Sequence, residues 1–235
     1  SVTYGSGLKT ISTSAFKNCT SLRELYFKGE VPTSVQANSF SGVPSDAFVV
    51  RYNGKTTWST VWQGFIVYIC DILTAVDNTT YFKDETGIFY TVLSAEDKKA
   101  IVGKKISTTA EDPENATNTG YAGTGDITIA DFVDINGEMY MVSGLDRFAF
   151  FNGKITSITL GRFIGYGMDE DLPGIWDCTF RQCSELKNVS VSTENKVYYS
   201  ANGVLYKYDE TLTDTPTLLM LYPMAKEGAS FTIPN

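Results

Sequence analysis

The sequence predicts a β-rich solenoid, assembled from a short unit that is written more than once. Ala15-Phe-Lys-Asn-Cys-Thr-Ser-Leu-Arg-Glu-Leu-Tyr-Phe27 returns as Thr179-Phe-Arg-Gln-Cys-Ser-Glu-Leu-Lys-Asn-Val-Ser-Val191. Phe16, Cys19, Leu22, Leu25 and Phe27 map onto Phe180, Cys183, Leu186, Val189 and Val191 at a constant offset of 164 residues. A looser third copy, Ala149-Phe-Phe-Asn-Gly-Lys-Ile-Thr-Ser-Ile-Thr-Leu160, is one residue short but keeps the Ile155, Ile158, Leu160 ending. One such unit cannot bury its own apolar face, so neighbouring copies must stack to supply each other's core.

Each copy reads as a turn followed by a strand. Its last residues alternate apolar and polar, which suits a short strand with one buried face. Leu25, Phe27, Ile158, Leu160, Val189 and Val191 are expected to point inward. Glu24, Tyr26, Lys28, Ser157, Thr159, Asn188 and Ser190 are expected to point outward. The Ala-Phe segment is too short for a free helix, and one helical turn anchored by its phenylalanine is expected there.

The pattern Leu-x-x-Ile-x-x-x-Ala-Phe-x-x-Cys-x-x-Leu-x-x-Leu resembles the BspA-like subfamily of leucine-rich repeats. The stretches Asn195–Tyr206, Leu218–Pro223 and Phe231–Asn235 resemble that family's hairpin insertion between repeats. Gly87–Tyr90, Gly125–Ile129 and Ile135–Val142 resemble its opening strands. The likeness covers roughly residues 1–56 and 86–235 and is weakest over 30–56, where Ser39-Phe40 stands for Ala-Phe and no cysteine follows. It implies a leucine-rich repeat solenoid, a right-handed superhelix of short strands and short helical turns with hairpin insertions and few short helices.

Two regions follow along the chain, 1–70 and 71–235, which could form one continuous solenoid. Residues 1–56 are repeat material. In 57–69, Trp58, Val61, Trp62 and Phe65 fall at i, i+3, i+4 and i+7, so a short amphipathic helix running into a strand is expected to cap the repeats. Residues 71–85 read as a connection with Asp77-Asn-Thr-Thr80 turn chemistry. A hairpin is favoured over 86–107 by the β-rich flanks Ile88–Leu93 and Ala100–Val102. Residues 108–124, rich in Thr, Asn, Glu and Gly, read as a flexible loop, and repeat structure resumes near Ile127. Phe231–Asn235 ends where Ser1–Ile11 would read on, as in a piece of a longer tandem array or a chain of permuted order.

Composition narrows the function. The net charge of −8 argues against the basic phosphate footprint of nucleic-acid binding and against docking on anionic lipid. The longest apolar run, around Phe65–Tyr68, is a strand's worth, too short to span a bilayer. With no histidine in the sequence, Ser-His-Asp and Cys-His catalysis, histidine zinc sites and a histidine pH switch are excluded. Of the four cysteines, Cys19 and Cys183 share a repeat position that suits a small buried hydrophobe. Cys178 and Cys183 are close enough in sequence to pair, but the core position of Cys183 argues against a bond. No Cys-x-x-Cys pair points to zinc or redox chemistry. Gly161, Gly165 and Gly167 lack the strand-to-helix context of a phosphate cradle.

Asp169-Glu-Asp171 with Asp177 is the best acidic cluster and reads as a solvated excursion before Trp176, with calcium or a carboxylate pair as the sharper alternatives. Trp58 and Trp62 read as cap filling; Trp176 could instead help a sugar-stacking platform. The Asn-x-Ser/Thr triplets at Asn18, Asn78, Asn115 and Asn188 match glycosylation acceptors and are read as coincidence.

The expectation is a non-enzymatic binding module without cofactor or metal, using Glu24, Tyr26, Ser157, Thr159, Asn188 and Ser190 as its outward strand positions. The family resemblance implies export to the cell surface or beyond and adhesion to a matrix protein or another cell. The alternative is a carbohydrate-binding module working beside a surface glycan-processing enzyme, which requires exposed coplanar aromatic rings.

Overall fold

The computed structural model describes residues 1–52, 54–55, 57–104, 121–168, 174–176, 178–208 and 216–228. It divides into two compact units, Ser1–Asp71 and Ile72–Asn235.

In the first unit the repeats deliver parallel strands. They are β1 (Val2–Tyr4), β3 (Glu24–Phe27), β5 (Phe48–Tyr52) and β7 (Phe65–Ile72), paired in that spatial order, while β2 (Thr10–Ile11) pairs β4 (Ser34–Val35). Leu25 lies beside Val2 and Val49, and Val49 beside Val67. Neighbours in a parallel ladder share a face, so this row becomes a continuous apolar floor. Tyr4, Phe27, Trp58 and Trp62 complete the core. Tyr4 stacks on Phe27 at 4.4 Å between centroids, and Phe27 lies 4.8 Å from Trp58 and 5.2 Å from Trp62. Burying each such ring is worth about 1.5–3 kcal/mol.

The turns stack as regularly as the strands. The Phe16 amide donates to Ser39 O in the next repeat at 2.8 Å, and the Asn18 amide to Ser41 O at 2.7 Å. In the second unit the same pair of bonds recurs from Phe150 to Thr179 (3.1 Å) and from Asn152 to Arg181 (3.0 Å). The phenylalanines stack face to face, Phe16 on Phe40 at 5.4 Å and Phe150 on Phe180 at 5.6 Å. Two residues after each ring the chain enters the left-handed region, at Asn18 (φ 61°), Gly42 (82°), Asn152 (54°) and Gln182 (62°). This is why the expected helical turns are not helices. Each is held by separate i to i−3 bonds, such as Lys17 N to Ser14 O and Cys19 N to Phe16 O, and the left-handed residue stops it there. There is no helix among the described residues.

The expected helix over 57–69 is also corrected. β6 (Val61–Trp62) and β7 form an antiparallel hairpin through Gln63 (φ 52°) and Gly64 (φ 85°). Two successive positive φ values make a turn whose twist matches paired strands, and it overrides the helical spacing. Trp58, Trp62 and Phe65 are buried as anticipated.

The second unit opens with β8 (Thr74–Ala75), β9 (Tyr81–Lys83), β10 (Phe89–Ser94) and β11 (Lys99–Val102). The hairpin over 86–107 is β10 with β11. Beyond β12 (Thr124–Thr128) come β13 (Phe132–Ile135) and β14 (Glu138–Leu145), joined by the Asn136-Gly137 turn. β14 pairs β11 in parallel. Repeat strands β15 (Lys154–Leu160) and β16 (Asn188–Val191) continue β12 as a parallel sheet, in the order β12-β15-β16. The insertion resembling a family hairpin is the antiparallel set β17 (Tyr198–Ala201), β18 (Val204–Tyr208) and β19 (Pro216–Leu221). Tyr90, Val142, Phe150, Ile155, Ile158, Leu160 and Val189 form its core, all fully buried.

Asn195 ties this core to the turn before it. Its Oδ1 accepts from the amides of Val197 and Tyr198 at 2.8 Å each, and its Nδ2 donates to Gly161 O and Ile164 O at 3.0 Å each. One buried amide thus satisfies four backbone groups.

The cysteines divide. Cys183 is buried, and its thiol donates to Phe150 O of the preceding repeat at 2.9 Å. Burial pushes its pKa up to about 11. Cys19 is exposed, against the packing role expected of it. Its turn stacks on that of Phe40. No disulfide joins any of the four cysteines.

Candidate functional site

The six outward candidates fall in two separate settings, Thr159 exposed and Glu24, Tyr26, Ser157, Asn188 and Ser190 half-buried. In the first unit, Glu24 stands beside Phe48 and Phe48 beside Ile66; Tyr26 stands beside Val50 and Val50 beside Tyr68. The Tyr26 hydroxyl donates to Glu24 Oε2 at 3.0 Å. Burial and the adjacent Glu24 carboxylate hold the Tyr26 phenol well above its usual range, so it remains protonated and keeps donating.

Val50 lies on this outward face and is fully buried there. Four half-buried rings surround it: Tyr26 and Tyr68 on the flanking strands, Phe48 and Tyr52 two residues away on its own. Phe48 and Tyr68 meet edge to face at 5.1 Å. Phe48, Tyr52 and Tyr68 were not among the sequence candidates. The signal for two of them is the 24-residue spacing from β3 to β5, which carries the outward set Glu24, Tyr26, Lys28 onto Phe48, Val50, Tyr52.

In the second unit the outward face is polar. Asp126, Ser157 and Asn188 form one row across β12, β15 and β16; Thr128, Thr159 and Ser190 form the next. Thr156 is an extra residue in β15, a bulge opposite the Gly125–Asp126 step, so Thr156 and Ser157 both reach Asp126. The Thr156 hydroxyl donates to Asp126 Oδ1 at 2.7 Å. Those two hydroxyls hold the Asp126 carboxyl below its ordinary range. Asn188 Nδ2 donates to Ser190 Oγ at 3.0 Å. Asp126 and Thr128 join the candidates only through the register, since β12 lacks the Ala-Phe turn that marks the other repeats.

The sugar-platform residues are engaged elsewhere. Trp58 and Trp62 are each 8 % exposed, and the Trp58 indole donates to Gly29 O. Trp176 is half-buried, with the Arg147 guanidinium 3.8 Å from its ring centroid. Tyr199 lies 43° and 49° from the planes of Tyr206 and Tyr208, far from coplanar. Among the described residues no group of three or more His, Cys, Asp or Glu side chains could hold a metal ion. The acidic positions 169–171 and 177, and most of the loop expected over 108–124, lie outside the described residues. No helix among the described residues is long and apolar enough to cross a membrane.

Comparison with known families matches residues 1–57 to the BspA type leucine rich repeat region (6 copies). Residues 1–57 are thus similar to a BspA-type leucine-rich repeat region. The outward face carrying Glu24 and Tyr26 belongs to this region. Its stacked Phe16 and Phe40 turns are the repeat seen as structure. A leucine-rich repeat protein from Eubacterium ventriosum, known from a crystal structure at 2.50 Å resolution, is similar at 16 % identity with a TM-score of 0.32. The match covers 99 % of this chain and 41 % of that one, so the chain spans about two fifths of that protein's length. No curated protein matches.

Proposed function

We propose that this protein is a non-catalytic interaction module, an exported leucine-rich repeat solenoid that binds a macromolecule through the outward faces of its parallel strands. One observation carries the reading: the outward face of β3, β5 and β7 presents half-exposed rings on a rigid, in-register sheet. Tyrosine-rich clusters at the centre of a preformed surface are where binding energy concentrates, since a Tyr ring supplies contact area at small entropic cost. The polar rows on β12, β15 and β16 offer the complementary chemistry, small hydroxyl and amide groups that hydrogen-bond without anchoring. The leucine-rich repeat region over 1–57 supports a protein as the partner, and the family's surface placement supports a matrix protein or another cell's surface.

The test is a binding array of extracellular-matrix proteins and glycans, probed with the intact chain and with Tyr26→Ala and Tyr68→Ala variants. A protein ligand lost on either substitution is expected. Binding that is indifferent to both, or a glycan as the sole ligand, would overturn the proposal.

A further inference from the structure

The second unit contains a small recognition device already in use. Glu138 and Tyr140 stand two apart on β14, and the Tyr140 hydroxyl donates to Glu138 Oε2 at 3.3 Å. Lys98 completes it: its Nζ lies 2.7 Å from the same carboxylate oxygen and 5.0 Å from the Tyr140 ring centroid. The ammonium therefore gains an ion pair and a cation–π contact from one Glu-x-Tyr strand segment. Its pKa is raised accordingly, chiefly by the Glu138 hydrogen bond, and that of Glu138 is lowered by Lys98.

Glu24-Leu-Tyr26 repeats this segment on β3, with the same spacing and the same hydroxyl-to-carboxylate bond, here 3.0 Å. No lysine or arginine among the described residues pairs with Glu24. Arg23, its neighbour, is paired with Asp46 at 3.2 Å. Lys28 is two residues past Tyr26 along the chain and exposed. Around Tyr26 stand Phe48, Tyr52 and Tyr68 with Val50 as their floor, and ring faces about a carboxylate are the chemistry that receives an alkylammonium.

We infer that Glu24, Tyr26 and the rings around Val50 receive the ammonium group of a lysine presented by the protein partner, in the place that Lys98 takes beside Glu138 and Tyr140. This rests on the strand-face reading above and names the chemistry of its partner. Unit charges set the control. Residues 1–71 hold six Lys or Arg against four Asp or Glu, a net of +2, which leaves −10 for residues 72–235. A lysine drawn only by long-range charge would therefore gather on the second unit.

The probe is the peptide acetyl-Gly-Ser-Lys-Ser-Gly-amide, titrated into the intact nitrogen-15-labelled chain, with the acetyl-lysine peptide as its uncharged counterpart. The lysine peptide is expected to shift the amides of Glu24, Tyr26, Val50 and Tyr68, and the acetylated one to leave them in place. Glu24→Gln, which keeps size and shape on a half-exposed side chain, and Tyr26→Leu should each weaken binding about fivefold; Tyr26→Phe, which keeps the ring, should weaken it less. Equal shifts with both peptides, shifts confined to the second unit, or an unchanged Glu24→Gln variant would overturn the assignment. An array partner that is lost on Tyr26→Ala but indifferent to Glu24→Gln would overturn it too, while leaving the strand-face reading intact.

Discussion

Replacing Asn195 by alanine tests how the repeat turns are held. Its side chain is 3 % exposed and makes four hydrogen bonds of 2.8–3.0 Å, two accepted from the amides of Val197 and Tyr198 and two donated to the carbonyls of Gly161 and Ile164. Alanine leaves all four backbone groups without this partner. At about 1 kcal/mol net per bond, less some relaxation, the expected loss is about 3–4 kcal/mol, a large share of ordinary domain stability. Urea denaturation followed by far-UV circular dichroism measures it, with amide exchange at Val197 and Tyr198 reporting the site itself. Asn195→Asp sharpens the test. It retains the two acceptor bonds but places a buried carboxyl against two carbonyl oxygens, which raises its folded pKa above the unfolded value of about 3.9. A raised pKa means the folded state holds its proton longer. Stability is then greatest below the unfolded pKa and falls as pH rises through the folded one. A loss under about 1 kcal/mol for Asn195→Ala, or an Asp variant indifferent to pH, would refute this account.

Three further outcomes are expected. Phe150→Ala removes a fully buried ring stacked on Phe180 and should cost about 3–5 kcal/mol in urea denaturation, whereas Phe16→Ala, at a half-exposed position, should cost less than half of that. Gly174→Ala would bring a Cβ to 2.4 Å from Gly165 Cα and 2.6 Å from its nitrogen, so it should lower the denaturation midpoint by an equivalent of about 1–3 kcal/mol. In native protein at pH 8, exposed Cys19 should react with a chromogenic disulfide reagent within the first phase. Cys183, buried and with a pKa near 11, should react only after urea is added, because the thiolate is the nucleophile.

The repeats and their strands were legible because two periodicities are written in the residues themselves. The turn recurs as Phe-x-x-Cys and the strand alternates as in Glu24–Phe27, so inward Leu25 and Phe27 and outward Glu24 and Tyr26 could be assigned without coordinates. The hairpin at Trp62–Phe65 was not legible, because Trp58, Val61, Trp62 and Phe65 satisfy a helix face equally well. Two left-handed residues in the turn decided it. Cys19 and Cys183 show the same limit: at identical repeat positions Cys183 is buried against Phe150 O and Cys19 is exposed, a difference that their shared motif does not carry.

The sequence alone determined the repeating unit and the inward and outward faces, and its lack of histidine leaves no imidazole for any site. Tertiary structure decided which outward residues stand together. Register between parallel strands is set by loop lengths and by bulges such as the one at Thr156, neither of which is visible in a single strand's alternation. That register gathers Tyr26, Phe48, Tyr52 and Tyr68 around Val50 in one unit and lines up Asp126, Ser157 and Asn188 in the other.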